Sequence, residues 1–126
     1  MPGKFCVSLT HAKDNPDKAT VAFVIANAAV GSDQETLVFL STEGVRLAVN
    51  GYADDIREDG FLPLKELMTN YAEAGGTIYV CSPCFKKRGL DENSLVPGAK
   101  IVGGAKLIEY LADGTPCVSY LSLIHI

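Results

Sequence analysis

Five short runs of strand-forming residues alternate with segments of helical pattern along this sequence. The predicted strands cover residues 4–10, 35–41, 77–81, 100–102 and 117–121, and the predicted helices cover residues 17–30, 43–49, 63–74 and 104–112. Such alternation is typical of βαβ units joined by right-handed crossovers. The run at 35–41 is apolar almost throughout, which suits a parallel strand buried on both faces of a sheet. The sequence therefore predicts an α/β fold, with three α/β/α layers around a mainly parallel sheet of about five strands.

Composition places this pattern in one compact domain. The chain has 126 residues, of which 48% are hydrophobic and 21% are charged, and this balance is typical of a globular domain. We expect a single domain over residues 1–120. The net charge of −4 argues against nucleic acid or an anionic membrane as a partner. No GxGxxG or Walker-type loop is present, so we expect no nucleotide and no other cofactor.

The sequence shows neither the pattern of a secretory signal nor that of a membrane span. The first residues lack the basic and apolar regions of a secretory signal, and no apolar run reaches the roughly 18 residues of a membrane span. We therefore expect a cytoplasmic protein.

Residues 121–126, LSLIHI, are predicted to be a non-native tail, because the end of a commonly used transposase sequencing adapter encodes this hexapeptide in one reading frame. Setting the tail aside leaves His11 as the histidine available for chemistry.

The first predicted helix is apolar on almost every side. Large apolar side chains are spread around residues 17–30, at Val21, Phe23, Val24, Ile25 and Val30. A helix with more than one apolar face needs more than one packing neighbour. We expect the sheet to cover one side and a partner subunit to cover another, so the sequence predicts self-association.

The most informative segment follows the third predicted strand. Cys81 ends that strand, and Cys84 lies at the helix start predicted directly after it. In parallel α/β sheets, reactive groups lie beyond the carboxyl ends of the strands, and a helix start stabilises a thiolate. Lys87 and Arg88 add positive charge nearby. We predict a functional thiol with a lowered pKa at Cys81 or Cys84, the alternative being a pair of buried, inert cysteines.

Three kinds of chemistry use a CxxC pair. Thiol-disulfide exchange of the thioredoxin type has this spacing, but it places the motif after an early strand and a cis-proline opposite it. A structural zinc ion needs four ligands, and the sequence has no second CxxC or histidine pair, so we expect no metal site within one chain. A persulfide carrier needs one exposed, activated cysteine and no cofactor.

Three further residues follow predicted strands and are candidates to support the thiol. His11 would lie beside Cys81 if the first and third strands were neighbours, and would otherwise bond to the backbone of its own loop. Glu43 either brings a carboxylate to the thiol or serves the start of a short helix. Gly103 would let the backbone approach an anion or a persulfide.

The remaining polar and thiol groups receive structural roles. Asp14 and Asp17 are predicted to cap the first helix and to complement its dipole. Cys6 and Cys117 lie inside predicted strands, and we expect both to be core thiols.

Together these segments resemble the DsrE/DsrF-like family of sulfur-relay proteins, from residue 4 to residue 120. The resemblance rests on Leu9-Thr10-His11, Asp17-Lys18-Ala19, FLSTEGV at 39–45, Cys81-x-x-Cys84-x-x-x-Arg88-Gly89-Leu90 and Gly103. It implies a parallel α/β sheet and assembly into homo- or hetero-oligomers such as trimers and hexamers. In the sulfur-transferring members, a cysteine seven residues before the arginine of an Arg-Gly pair carries a persulfide, and Cys81 occupies that place.

The resemblance implies a sulfur carrier more than an enzyme with a turnover step of its own. Cys81 would accept sulfane sulfur, with Lys87 and Arg88 stabilising its thiolate. The partners would be other copies of the chain, sulfur-donor proteins and sulfur-acceptor proteins. Cys84 departs from the single-cysteine pattern and would be a resolving thiol, a second acceptor or a bystander. The alternatives are a non-catalytic oligomeric binding module of the same family and a CxxC thiol-disulfide redox protein.

Overall fold

The computed structural model describes residues 3–121 and contains a five-stranded sheet in which all neighbouring strands are parallel. The strands are β1 (Lys4–Leu9), β2 (Glu35–Leu40), β3 (Thr77–Cys81), β4 (Ala99–Val102) and β5 (Cys117–Tyr120), in the spatial order β4-β3-β2-β1-β5. The predicted α/β fold with a parallel sheet is confirmed. Of the predicted tail, residues 122–126 lie outside the described part of the chain.

Helices cover both faces of this sheet. They are α1 (Pro16–Gly31), α2 (Leu64–Glu73), α3 (Ser82–Lys87) and α4 (Gly104–Leu111), with 3₁₀ helices at Thr42–Ala48 and Tyr52–Asp55. The chain steps in one direction from β1 to β4, so a constant crossover handedness places α1, α2 and α3 on one face and the returning α4 on the other. Within residues 3–121, no helix is long and apolar enough to cross a membrane.

The main core lies between the sheet and the face that carries α1 and α2. Side chains of a strand alternate between the two faces, and those on this face include six fully buried residues: Val7, Leu9, Val38, Leu40, Ile78 and Val80. The other face is covered less completely, because no side chain of α4 is buried. Tyr110 fixes the position of α4 there, since its hydroxyl donates a hydrogen bond to the carbonyl oxygen of Glu35 at 3.0 Å.

The apolar pattern of α1 has an explanation within the chain. This helix packs on β1 and β2 and also along α2. The side-chain amide of Asn27 donates hydrogen bonds to the carbonyl oxygens of Phe23 in α1 and Leu67 in α2, at 2.8 and 3.0 Å. Because α2 supplies the second neighbour, the pattern does not by itself require a partner subunit.

Two structural predictions need correction. Cys6 is buried as expected, but Cys117 is exposed, because β5 is an edge strand with a neighbour on one side only. The cap of α1 is Asn15, whose side chain accepts a hydrogen bond from the backbone N–H of Lys18 at 3.1 Å. Asp14 instead accepts the backbone N–H of Ala12 at 2.7 Å, whereas Asp17 lies in the first turn of α1, where a carboxylate complements the helix dipole.

Tyr71 of α2 links the helical layer to two strands. Its ring is fully buried and meets Phe23 edge-on, with 5.8 Å between the ring centroids. Its hydroxyl lies 3.0 Å from the carbonyl oxygen of Thr36 in β2 and 2.8 Å from that of Thr77 at the start of β3. The single hydroxyl proton is therefore shared between these two acceptors. Gly76 is needed beside it, because a Cβ atom there would overlap the Tyr71 ring.

Replacing Tyr71 by phenylalanine should lower the free energy of unfolding by about 1–2 kcal/mol, because buried carbonyl oxygens lose a hydrogen-bond donor. Urea denaturation measures this change. Tyr52→Phe is the matched control, since its hydroxyl accepts only a long 3.4 Å hydrogen bond from the exposed backbone N–H of Lys13. Equal losses in the two variants would contradict the role given to the buried hydroxyl.

Candidate functional site

The candidate site lies where β2, β3 and β4 end. In the sheet register Val80 is opposite Leu40 in β2, and Cys81 is opposite Val102 in β4. The segments that follow these strands therefore meet at one edge of the sheet. They carry the predicted site residues Glu43, Cys81 and Gly103.

The CxxC pair spans the junction of β3 and α3. Cys81 is the last residue of β3, and Cys84 lies in the first turn of α3 together with Pro83, a residue type that suits helix starts. Both cysteines are half-buried and reduced. Phe85 holds the short helix against the core, because its ring is almost fully buried. The sequence thus places both thiols at the predicted edge of the sheet.

A lowered pKa was predicted for Cys81 or Cys84, and for Cys81 the structure gives the opposite direction. Burial of the thiol raises the pKa of Cys81 above its ordinary value, and the neighbouring thiol of Cys84 raises it further. The backbone N–H of Cys84 and the positive charge of Arg88 lower it, but they do not outweigh burial. Cys81 is therefore mostly protonated at neutral pH.

Arg88 is the cation beside the CxxC pair. Its Nε donates a hydrogen bond to Oε2 of Glu43 at 2.6 Å, and its Nη1 donates to the carbonyl oxygen of Cys84 at 3.1 Å. Only 15% of its side chain is exposed. Lys87, which was predicted to share this role, is exposed in the last turn of α3.

Glu43 is held between two arginines. Its second carboxylate oxygen, Oε1, accepts a hydrogen bond from Nε of Arg46 at 2.9 Å. The hydrogen bond from Arg88 lowers the pKa of the Glu43 carboxyl most, and Arg46 lowers it further. Glu43 is thus an ionised group that positions Arg88, and its carboxylate oxygens accept hydrogen bonds from the two arginines.

The 3₁₀ helix Thr42–Ala48 is fixed to the end of β1. A Cβ atom on Gly44 would lie 2.5 Å from the carbonyl oxygen of Leu9, so only glycine permits this approach. Thr42 has a φ angle of 50°, a conformation that costs energy for a β-branched residue. Its hydroxyl donates to the carbonyl oxygen of Thr10 at 2.9 Å. These contacts direct Glu43 towards Arg88.

His11 belongs to a different part of the edge. Its strand, β1, is separated from β3 by β2, so the adjacency on which its proposed contact with Cys81 depended is absent. The ring is buried, and its Nδ1 lies 2.9 Å from Oδ2 of Asp14. Gly103 is the N-cap residue before α4 and directly follows Val102, the register partner of Cys81; a Cβ atom at Gly103 would meet open space.

Sequence reasoning missed Arg46 and the close approach of Gly44 to β1, and the Thr42 hydroxyl, a candidate to lie beside the thiol, bonds to the carbonyl oxygen of Thr10 instead. The three-residue spacing of Glu43 and Arg46 in a helical segment was an available sign of an ion pair. The structure does not bring together any three histidine, cysteine, aspartate or glutamate residues within 3–121 that could hold a metal ion. A zinc ion on the CxxC thiols would therefore take its remaining ligands from outside this part of the chain.

A model of the DsrE/DsrF-like family matches residues 3–119. The chain belongs to the DsrE/DsrF-like family. This DsrE-like chain is also similar to two proteins of Methanocaldococcus jannaschii, both named as uncharacterized. It is 32% identical to MJ0989, over 93% of the chain and 99% of that protein. It is 30% identical to MJ0760 over 82% of the chain, but it spans only 38% of the length of MJ0760.

Two solved structures share the fold of the DsrE-like chain. The ychN protein from E. coli superposes with a TM-score of 0.79 at 14% identity, over 94% of this chain and 99% of that one. MTH1491 from Methanobacterium thermoautotrophicum, described as a protein of unknown function, gives 0.67 at 15% identity with the same coverage. At these identities the likeness concerns the fold alone.

Replacing Glu43 by glutamine should remove a pH-dependent part of the stability. The folded-state pKa of Glu43 is lowered from an ordinary value of 4.5, so the ionised carboxylate stabilises the fold above that pH and this contribution is lost as the pH falls through the folded pKa. Chemical denaturation should show the wild type to be more stable than Glu43→Gln at pH 7, with the difference closing below about pH 4.5. Glu92→Gln, at an exposed position, is the control. A difference that persists unchanged into acid would contradict this account.

Labelling with iodoacetamide, followed by peptide mass spectrometry, should test the electrostatics of Cys81. Because its pKa is raised, the labelling rate should keep rising with pH beyond the ordinary thiol pKa of about 8.5. Arg88→Gln should slow labelling at pH 8 several-fold, since it removes a charge that favours the thiolate. Lys87→Gln, the exposed neighbour, should leave the rate unchanged. A labelling rate that levels off below pH 8 would contradict the raised pKa of Cys81. Equal slowing in both variants would contradict the effect assigned to the charge of Arg88.

Proposed function

We propose that this DsrE-like chain is a persulfide carrier in which Cys81 accepts and passes on sulfane sulfur. The observation that carries the proposal is the placement of Cys81 at the carboxyl end of β3, half-buried beside a second thiol and under the charge of Arg88. The DsrE/DsrF-like resemblance supports it, because Cys81 stands where the sulfur-transferring members have their acceptor cysteine.

Sulfur transfer at Cys81 needs no external oxidant or reductant. The sulfur of Cys81 attacks the terminal sulfur of a donor persulfide, a new S–S bond forms at Cys81, and the S–S bond of the donor breaks. The donor leaves as a thiolate and takes up the proton that Cys81 releases. An acceptor thiolate then attacks the terminal sulfur on Cys81, and the original thiol is restored.

Arg88 favours the loaded state of the carrier. A persulfide is a stronger acid than the parent thiol, so loaded Cys81 carries a negative charge at neutral pH more readily than empty Cys81 does. Arg88 is held in place by Glu43 and by the carbonyl oxygen of Cys84. Its charge therefore stabilises the persulfide anion more than the neutral thiol. The raised pKa of the empty thiol lowers its thiolate fraction and therefore slows its reaction with alkylating agents, oxidants and the donor persulfide alike.

The proposed partners are those of a relay. They are further copies of this chain, in trimers or hexamers, together with a protein that donates sulfane sulfur and a protein that accepts it. The proposed location is the cytoplasm, where reducing conditions keep thiols free. The role of Cys84 depends on whether its thiol attacks the inner sulfur of loaded Cys81, which would release sulfide and leave a Cys81–Cys84 disulfide.

Intact mass spectrometry tests the carrier directly. The wild type, Cys81→Ser and Cys84→Ser are incubated with a cysteine desulfurase and cysteine. With a small-molecule persulfide, the same three are tested in a Cys117→Ser background, because Cys117 is an exposed thiol that such a reagent would reach. We expect a mass increase of one sulfur atom in the wild type and in Cys84→Ser but not in Cys81→Ser. Cys117→Ser should load like the wild type. No increase with either donor, or an increase that survives in Cys81→Ser, would refute the proposal.

The loaded samples also distinguish the roles of Cys84. A resolving thiol gives a wild type that loses its extra sulfur as sulfide and ends two hydrogen atoms lighter, while Cys84→Ser stays loaded. A second acceptor that takes its sulfur from loaded Cys81 gives a wild type that gains more sulfur than Cys84→Ser, while Cys81→Ser gains none. A bystander leaves the wild type and Cys84→Ser with the same mass increase.

The second candidate function is a non-catalytic oligomeric binding module. The raised pKa and partial burial of Cys81 favour it, because a thiol that only lines a pocket needs no activation. In a module, both CxxC thiols would stay protected from alkylation in the native assembly and would not load with sulfur. In a carrier, Cys81 loads even though its free thiol is mostly protonated.

A further inference from the structure

A second pair of thiols lies outside the CxxC site. Cys6 in β1 and Cys117 in β5 are register partners in neighbouring parallel strands. Residues paired in this way project to the same face of a sheet. Both sulfurs are free thiols in the structure, and neither takes part in the proposed sulfur relay.

The backbone brings these two cysteines within bonding range. Neighbouring strands lie about 4.8 Å apart, and disulfides form between residues whose Cα atoms are about 4.4–6.8 Å apart. The register is fixed at this point, because the backbone N–H of Cys6 donates to the carbonyl oxygen of Pro116 at 2.9 Å. Burial raises the pKa of the Cys6 thiol, and the neighbouring thiol of Cys117 raises it further. This second effect agrees with the closeness of the two side chains.

The two thiols differ in access to solvent. Cys6 is fully buried, whereas Cys117 is exposed on the edge strand. A small reagent therefore meets Cys117 first. Cys6 is reached through Cys117, which makes it the second thiol of an ordered pair.

We propose that Cys6 and Cys117 form a dithiol site that reacts with low-molecular-weight disulfides of the glutathione class and closes into a disulfide between β1 and β5. In the first step the Cys117 thiolate attacks one sulfur of the small disulfide, whose S–S bond breaks, and one small thiol leaves. In the second step the Cys6 sulfur attacks Sγ of Cys117 and the second small thiol leaves. The dithiol gives up two electrons and two protons, and the small disulfide takes them up.

The two steps should have different rates. Cys117 is exposed, so the mixed disulfide forms readily. Cys6 is buried and mostly protonated, so closure is slower and speeds up as the pH rises. The intermediate with a small thiol on Cys117 should therefore accumulate at neutral pH.

The test uses the full chain with Cys81→Ser and Cys84→Ser, so that only Cys6 and Cys117 can react. The protein is incubated with oxidised glutathione at pH 7 and pH 8.5, alkylated and analysed by peptide mass spectrometry without reduction. We expect a glutathione adduct on Cys117 first, then a linked peptide pair containing Cys6 and Cys117, several-fold faster at pH 8.5. The linked form should melt at a higher temperature, because the bond closes the chain from residue 6 to residue 117.

The control adds Cys117→Ser to the same background, and it should show neither an adduct nor a change in melting temperature. Cys117 is chosen because it is exposed, so its replacement leaves the core intact. Three results would overturn the proposal: a Cys117 adduct that never closes at either pH, cross-linking between Cys117 residues of two chains, or linkage to Cys6 only in denaturant. These three results do not depend on whether Cys81 carries sulfur, because the protein tested has serine in place of Cys81 and Cys84.

Discussion

The complete burial of β2 in the middle of the sheet is the constraint on which the rest of the molecule depends. Every residue of this strand after Glu35 is buried, with alternate side chains meeting helices on opposite faces. A strand in this position must have a partner on each side, and β1 and β3 fill those places. Because both partners are parallel to it, the carboxyl ends of β1, β2 and β3 point to one edge. The thiol site exists because this register places Cys81 next to the segment that follows β2.

The site joins groups whose effects oppose one another. Burial keeps Cys81 protonated, while Arg88 favours its charged form. Glu43 and Arg46 form a small ion network with Arg88, so the positive charge beside the thiol is partly balanced and fixed in direction. A thiol in such surroundings stays protonated and weakly nucleophilic, and Arg88 stabilises it only when it carries a negative charge. In the persulfide carrier proposed above, these surroundings would keep the empty thiol protonated and would stabilise the anion of the loaded one.

Sequence patterns predicted much of this molecule, and the failures have physical causes. The strand at 77–81 and the helix start after it follow from local preference, so Cys81 and Cys84 could be placed correctly. The contact between Glu43 and Arg88 joins residues far apart in the chain, and it depends on β2 and β3 being neighbours. The exposure of Cys117 depends on which strand lies at the edge of the sheet. The pKa of Cys81 is a balance between burial and charge, which no spacing of residues can reveal.

The thin cover provided by α4 affects how the molecule moves. Since no side chain of α4 is buried, lifting it from the sheet exposes little apolar surface and costs far less free energy than opening the core around α1 and α2. Amide hydrogens of α4 should therefore exchange with solvent through local opening, while those of β2 exchange only when the whole domain unfolds. The face of the sheet that carries α1, α2 and the CxxC site is therefore more stable than the face that α4 covers, where Cys6 lies. Local opening of α4 can expose the Cys6 thiol to reaction without unfolding of the whole domain.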